Sequence, residues 1–326
     1  MRQEMRDYLD APVDRHGTNC EKWDLLGKHY GRDDLIAMWV ADMDFRTVPQ
    51  VREALVKRAE HAIYGYTDDS EAEHEAEMGW LERRHGLKVE SDWILYSPGV
   101  VDSLFFCVDA LTKPEDAILI QPPVYGPFYQ AVKLYGRRLV ESPLIYGPSG
   151  WRMDYDDLEQ KFSSGVRMMI LCSPHNPVGR VWTRDELQKL VDLALRYGVL
   201  IISDEIHADF TFDGHRQTRI LALDGAQRCS VMLTSATNPS IWRASGSPAS
   251  SRRMPRFARH SPMNSPGRTP PPRIYSARSP RRPPTAAATN GWTPSSSMSG
   301  KTGILPLAFC ASACPKSDAP PRRAPT

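Results

Sequence analysis

The last part of the sequence has almost no acidic residues. Of the 39 Asp and Glu, only Asp318 lies within residues 239–326, a stretch that holds about a third of the 41 Lys and Arg and more than half of the 28 Pro. The formal charge of +2 therefore combines a strongly basic tail with a net acidic body. Proteins that bind nucleic acid often carry a basic tail. Such binding also needs a nucleic-acid-binding fold or aromatic residues interleaved with the basic ones, and the sequence shows neither. We therefore expect no nucleic-acid partner.

Long apolar runs and paired cysteines are also missing. No apolar run approaches the roughly 20 residues that span a bilayer, and the first residues, MRQEMRDYLD, lack the apolar core of a signal peptide. None of the six Cys forms a CxxC pair, and those of the body lie in apolar stretches, as is typical of a reduced intracellular protein. We expect a cytoplasmic protein with no membrane partner.

The body of the chain alternates between strand and helix patterns. Helical periodicity occupies 49–62, 71–86, 100–112 and about 127–135, and a capping box at Thr183 and Glu186 opens a further helix that ends at Gly198. Apolar stretches without polar alternation predict buried strands at 93–96, 117–120, 166–172, 199–203 and 230–234. This order predicts an α/β fold with a largely parallel sheet covered by helices on both faces.

Three segments follow from these patterns. Residues 1–48 form a mostly irregular N-terminal segment, and residues 49–237 form the main domain. Residues 238–326 form a Ser-, Pro- and Arg-rich tail, which we expect to be disordered because its composition cannot build an apolar core.

Ligands of open parallel sheets bind beyond the carboxyl ends of the strands, and polar residues follow several predicted strands here. The turn at 97–101 leads into a helix whose first N–H groups could hold a phosphate, although it equally fits a simple strand–helix turn. Asp204 follows a strongly apolar strand, where a buried carboxylate needs a cationic partner. That partner could be a cationic ring nitrogen of a cofactor or the side chain of an ordinary Arg.

Two further strand ends carry polar residues. Prolines on both sides hold the loop 173–179 extended and present Asn176 rigidly, whereas His175 has the pattern of a solvated loop residue. Thr234 and Ser235 could offer hydroxyls to a phosphate or simply end a strand. Tyr125 offers an aromatic face, and the order of His207 and the acids before it does not match a common zinc motif, so no metal is expected.

Together these segments resemble the pyridoxal 5′-phosphate (PLP) enzymes of aminotransferase class I/II, fold type I. More narrowly, they are similar to the cystathionine β-lyase subgroup related to the maltose-regulon modulator. The matching motifs cover nearly all of 20–237: WVADMDF (39–45), YGYTD (64–68), RRHG (83–86), YSPGVV (96–101), QPPVYGPF (121–128), CSPHNPVGRVWT (172–183) and SDEIHADF (203–210).

The resemblance implies a role for each candidate residue. Asp204 would keep the pyridine nitrogen of PLP protonated, Asn176 would bond the ring 3′-oxygen with His207 nearby, and Tyr125 would stack on the ring. The N–H groups of Val100 and Val101, together with Ser235, would hold the phosphate of PLP. In a homodimer, Tyr66 would reach the cofactor of the partner subunit.

The resemblance also implies a Schiff-base lysine three residues after Ser235, where the sequence has Asn238 instead. The next Lys along the chain is Lys301. This lysine would also remove the Cα proton of the substrate. Without it, and without the C-terminal domain that the family carries after this point, the chain is expected to be inactive.

Three explanations account for Asn238: a natural pseudoenzyme, an exchange of Lys for Asn, or a shifted reading frame. An exchange would leave the following residues similar to the family, and they are not. Back-translation favours the frame shift, since one purine inserted into the Asn238 codon lets the same bases encode Lys-Pro-Phe-Asn-Leu-Ala-Gly-Leu. Thr237 would then be the last residue in the original frame.

The intact parent is accordingly expected to be a PLP-dependent C–S β-lyase that acts on a sulfur-containing amino acid and releases a thiol, ammonia and pyruvate. An aminotransferase on the same scaffold is the first alternative, because both activities would use the same residues. A regulatory protein that binds a partner is the second.

Overall fold

The structure, a computed structural model, describes residues 2–65, 70–212, 214–235 and the backbone of 249–252. Its helices are α1 (Arg2–Asp10), α2 (Glu21–Asp24), α3 (Leu26–Tyr30), α4 (Pro49–His61), α5 (Glu71–His85), α6 (Val100–Leu111), α7 (Gly126–Leu134), α8 (Tyr155–Ser163) and α9 (Arg184–Tyr197). Its strands are β1 (Ile94–Tyr96), β2 (Ala117–Ile120), β3 (Arg138–Glu141), β4 (Ile145–Gly147), β5 (Gly150–Arg152), β6 (Val166–Cys172), β7 (Leu200–Asp204), β8 (Ser230–Thr234) and β9 (Ala249–Arg252).

A seven-stranded mixed sheet runs through the molecule in the order β1-β9-β8-β7-β6-β2-β3. The five strands from β8 to β3 are parallel, and β9 is antiparallel to both β8 and β1. All five strands that the apolar pattern predicts belong to this sheet. The predicted α/β architecture with a largely parallel sheet is confirmed.

Side chains of the central strands alternate between two apolar layers, as the strand geometry requires. Ile118 and Ile120 pack with residues of α6 and α7 on one face, whereas Leu119 packs with residues of α8 and α9 on the other. Because both faces are covered, these strands contain no polar alternation. Full burial of each such side chain contributes roughly 1.5–3 kcal/mol.

Helix α9 begins and ends as its sequence predicts. The Thr183 hydroxyl accepts the backbone N–H of Glu186 at 3.2 Å, and the Glu186 carboxylate accepts the N–H of Thr183 at 2.8 Å. Gly198 ends the helix with φ of 68°, a conformation that favours glycine. This helix contacts β7, the strand that ends in Asp204, and its apolar side chains belong to the layer that contains Leu119.

Several elements are absent from the sequence prediction. The N-terminal segment is mostly irregular, as predicted, but it contains the short helices α1, α2 and α3. The hairpin β4–β5 and helix α8 have recognisable local signals, because Gly150 at φ of 89° closes the hairpin turn and Asp154 accepts the N–H of Asp157 at 3.2 Å as an N-cap. The short β3 has no such signal and is set by its pairing with β2.

We expect disorder in residues 238–326, but residues 249–252 of this segment form strand β9. The reason is physical: β8 and β1 present backbone N–H and C=O groups that any extended, proline-free segment can pair with. The boundaries of the three segments stay a prediction. In the part of the chain that the structure describes, no helix has the length and apolar content to cross a membrane.

Candidate functional site

Three of the candidate residues follow neighbouring parallel strands. The register pairs Cys172 of β6 with Asp204 of β7, and Asp204 with Leu233 of β8. Asn176, Asp204 and Ser235 therefore lie at one edge of the sheet, beyond or at the carboxyl ends of adjacent strands. This is the edge where ligands of open α/β sheets bind.

Asp204 is a buried carboxyl group that lacks a counter-charge. Its Oδ1 atom accepts the backbone N–H of Ile206 at 3.1 Å, and no ion pair joins it to a Lys, Arg or His in the described ranges. Burial raises its pKa from 3.8 to about 7, and the charge of Glu205 adds to the rise. A cationic group placed beside Asp204 would relieve this cost.

The loop that carries Asn176 is held by a buried thiol. The backbone N–H of Asn176 donates to Cys172 Sγ at 3.3 Å, and the indole N–H of Trp182 donates to the carbonyl of Cys172 at 3.0 Å. Burial raises the pKa of the Cys172 thiol, so it stays protonated at neutral pH. The sequence analysis did not identify Cys172 as part of the site, because a cysteine at the end of an apolar strand has the pattern of a core residue.

His175 is a core residue rather than a solvated one. Only 1% of its surface is exposed, its Nε2 lies 3.0 Å from the carbonyl oxygen of Pro123, and its ring meets that of Trp182 edge-on at 5.6 Å. Burial lowers its pKa. The expectation of a solvated loop histidine was wrong because the loop folds back beneath Pro123.

The turn 97–101 leads into α6 as predicted. Val100 begins the helix, and Gly99 precedes it without a side chain, so no N-cap side chain accepts the N–H groups of Val100 and Val101. Tyr96 pairs with Ala249 of β9, which pairs in turn with Thr234. This register places the α6 N-terminus at the same edge of the sheet as Ser235.

An acidic side chain at this helix terminus was missed. Asp102 lies in the first turn of α6, and its carboxylate lies directly over Gly99. Burial raises its pKa. An acid in the first turn is favourable for a helix, so Asp102 does not stand out in the sequence as part of a site.

A cleft of about 500 Å³ opens at this edge of the sheet. Asn176 and His207 line it, together with Ala41 from the motif at 39–45, whereas Asp204 and Tyr125 are not among its lining residues. Tyr125 precedes α7 and is 37% exposed. The lining of this cleft thus contains the candidate residues Asn176 and His207, but not Tyr125, Asp204, Val100, Val101 or Ser235.

The motif at 39–45 reaches the cleft because an ion-pair cluster holds it. Asp44 accepts hydrogen bonds from Arg15 Nη1 at 2.7 Å, Lys22 Nζ at 2.6 Å and the Trp23 indole N–H at 2.8 Å. Asp42 forms an ion pair with Arg15 as well. Two of the candidate site residues, Tyr66 and Asn238, lie outside the described residues.

Within the described ranges, no group of three His, Cys, Asp or Glu side chains could hold a metal ion. The polar groups at this edge of the sheet are instead a buried carboxyl group, an amide, hydroxyls and helix N–H groups. Such a set suits a ligand with one cationic ring atom and a phosphate.

The fold and this edge define an α/β protein of the aminotransferase type. The model of the family "Aminotransferase class I and II" matches residues 33–238, and the chain belongs to this family. The match ends at the position where the resemblance implies a lysine and the sequence has Asn238.

Known relatives and structures agree with this assignment. The chain is 44% identical over 216 residues to cystathionine β-lyase PatB of Bacillus subtilis, covering 66% of this chain and 56% of that protein. It is 36% identical over 202 residues to protein MalY of Escherichia coli, covering 61% and 52%. The chain therefore spans little more than half the length of either relative.

The crystal structure of cystalysin from Treponema denticola, which contains a PLP cofactor, superposes with a TM-score of 0.73 and 30% identity, covering 78% of this chain and 65% of that chain. The prediction of fold type I is confirmed by this likeness. The described residues also pass a chemical test for the same cofactor, because Asp204 needs a cation and the first turn of α6 offers N–H groups to an anion.

Proposed function

We propose that the chain derives from a cytoplasmic PLP-dependent C–S β-lyase that cleaves sulfur-containing amino acids as a homodimer. The buried Asp204, which has no cationic partner among the described residues, carries this proposal. The identity of 44% to a cystathionine β-lyase supports the activity. Residues 49–237 would form the cofactor-binding domain, and 238–326 would be an out-of-frame tail.

Each site residue would make one contact with the cofactor. Asp204 would hold a proton on the ring nitrogen, Asn176 would donate to the 3′-oxygen with His207 nearby, and Tyr125 would cover the ring. When bound, PLP supplies an electron sink for the carbanion that forms at the substrate Cα.

Two groups would hold the phosphate. The N–H groups of Val100 and Val101 in the first turn of α6 would bind its oxygens, together with the hydroxyl of Ser235. Tyr66 would reach the cofactor of the partner subunit, as the resemblance implies.

Asn238 has no amine that could bind the cofactor covalently or take the Cα proton. We therefore propose that this chain binds PLP reversibly and does not cleave substrates. The frame shift after Thr237 explains why the lysine and the family-like sequence are lost at the same residue. The end of the family match at 238 supports it.

The test is to restore the frame by inserting one purine into the Asn238 codon and to assay the restored protein with thioether amino acids. We expect release of thiol, ammonia and pyruvate from the restored protein and none from the present chain. Transfer of the amino group to a keto acid without thiol release would instead assign an aminotransferase. Binding of a partner protein without either reaction would assign the regulatory alternative.

A further inference from the structure

Arg219 is a buried cation close to the strand ends of the site. It follows the loop after β7, and only 1% of its surface is exposed. Its Nη1 atom donates to Glu205 Oε2 and to Thr234 Oγ1, both at 3.3 Å, and its Nη2 lies 2.8 Å from His85 Nε2. A guanidinium group at this depth is tolerated only because of such partners.

These contacts join three separate elements. Glu205 belongs to the turn after β7, Thr234 ends β8, and His85 ends α5. His85 Nε2 also lies 3.1 Å from Asp209 Oδ1, in the same turn as Glu205. The guanidinium group therefore connects the turn 204–209, the end of β8 and the end of α5.

Glu205 is fixed from several sides. Besides Arg219, its carboxylate accepts the Ser203 hydroxyl at 2.9 Å and the backbone N–H of Ile220 at 2.8 Å. Its own N–H donates to the Leu233 carbonyl at 2.8 Å, which ties the turn to β8 directly. The charge of Arg219 opposes the rise that burial causes in the pKa of Glu205.

Arg219 contacts Glu205 and Thr234, which are the sequence neighbours of the site residues Asp204 and Ser235. Ile202 belongs to the apolar layer of α6 and α7, so strand alternation puts Asp204 on that face and Ser203, with its partner Glu205, on the opposite face. Thr234 directly precedes Ser235. Arg219 thus supports the edge of the sheet from the side opposite to Asp204.

We propose that Arg219 is a positioning residue that, through Glu205 and Thr234, fixes the placement of the carboxylate of Asp204 relative to the hydroxyl of Ser235. The consequence for PLP rests on the proposed function, whereas the ordering of the two strand ends does not.

The first test is amide hydrogen exchange of the full chain without cofactor. Arg219→Met keeps much of the side-chain volume but leaves the buried Glu205 carboxyl group without a counter-charge, so that it either stays charged at a cost or takes up a proton and accepts its hydrogen bonds less strongly. We expect exchange in 204–209 and 233–235 to accelerate by at least about tenfold, with little change in α9. Arg196→Met is the matched control, because Arg196 pairs with Glu159 at 2.6 Å on an exposed part of α9.

Two more variants separate positioning from general loss of stability. Arg219→Met with Glu205→Gln removes both charges of this pair, while Asp209, which lies 3.9 Å from Arg219, keeps His85 and Arg84 as partners. We therefore expect exchange to return to within about threefold of the original chain. Arg219→Lys keeps the charge without the planar fork and should fall between the original chain and Arg219→Met. The double variant and the lysine variant also provide the test if Arg219→Met does not fold.

The second readout is the dissociation constant of PLP, followed by quenching of tryptophan fluorescence. We expect weaker binding in Arg219→Met, recovery in the double variant and no change in Arg196→Met. Unchanged exchange in the two segments, uniform acceleration across the domain, or faster exchange with unchanged PLP affinity would each overturn the proposal. Failure of the original chain to bind PLP would refute the proposed function, and the exchange results would still decide whether Arg219 orders the strand ends.

Discussion

Asp204 and Glu205 are consecutive buried carboxyl groups, yet only Glu205 has a cationic side chain as partner among the described residues. Arg219 Nη1 lies 3.3 Å from Glu205 Oε2, whereas Asp204 Oδ1 accepts only the backbone N–H of Ile206. Burial raises the pKa of both groups, and the charge of Arg219 opposes the rise at Glu205. The carboxyl group without a counter-charge is the one that the proposed cofactor would meet.

Replacing Asp204 should therefore stabilise the chain while it weakens cofactor binding. Because the pKa of Asp204 rises from 3.8 to about 7 on folding, the folded state binds a proton that the unfolded state has lost, and stability falls as the pH increases through this window. We expect Asp204→Asn to increase the free energy of unfolding at pH 8 by roughly 2–4 kcal/mol, with the difference vanishing near pH 4. Urea denaturation at the two pH values measures this.

Glu77 provides a matched control for that experiment. Burial raises the pKa of Glu77 to about 7 as well, and the charge of Glu73 adds to the rise. Glu77→Gln should give a similar gain in stability at pH 8 and leave the affinity for PLP unchanged, whereas Asp204→Asn should lower that affinity at least about tenfold. Equal PLP affinity of the two variants would contradict the role of Asp204.

The missing lysine predicts reversible cofactor binding. No Lys lies between Lys189 and Lys301 in the sequence, so PLP cannot be attached at position 238. We expect dialysis to remove the cofactor and borohydride treatment to leave no stoichiometric adduct on any one peptide. The frame-restored protein is the control and should carry the adduct at residue 238. A stoichiometric adduct in the present chain would refute the inference of inactivity.

Local patterns predicted the elements of the fold, and long-range contacts decided the details of the site. The parallel strands were predictable because their apolar runs reflect burial on both faces, and Asp204 was predictable because it ends such a run. His85 and Asp209 lie 3.1 Å apart although 124 residues separate them, and no periodicity in either segment indicates the pair. Arg219 was missed for the same reason, since a lone arginine in a loop has the pattern of an exposed residue.

Asp102 should weaken the binding of a phosphate at the α6 N-terminus. Its carboxylate lies in the first turn, where it would repel the anion that the helix N–H groups attract. We expect Asp102→Asn to tighten PLP binding by roughly twofold to tenfold. Asp109→Asn, near the other end of the same helix, is the control and should have no effect. Weaker binding in Asp102→Asn would show that this carboxylate supports the site instead.

The cluster around Asp44 should govern acid stability of the segment that carries the motif 39–45. Hydrogen bonds from Lys22, Trp23 and Arg15 outweigh the effect of burial and lower the pKa of Asp44 from 3.8 to about 2. A lowered pKa stabilises the folded state above pH 4, and this contribution is lost as the pH falls from about 4 to about 2.

Asp44→Asn should therefore decrease the free energy of unfolding at pH 7 by about 1 kcal/mol, a value reduced for solvent screening because 42% of the side chain is exposed. The difference from the original chain should shrink as the pH falls from about 4 and vanish only below about pH 2. Asp34→Asn is the control, since the pair of Asp34 with Arg32 is exposed on both sides and should change stability little at any pH. Equal losses in the two variants at pH 7 would mean that the cluster does not hold the motif, and that some other contact keeps Ala41 at the cleft.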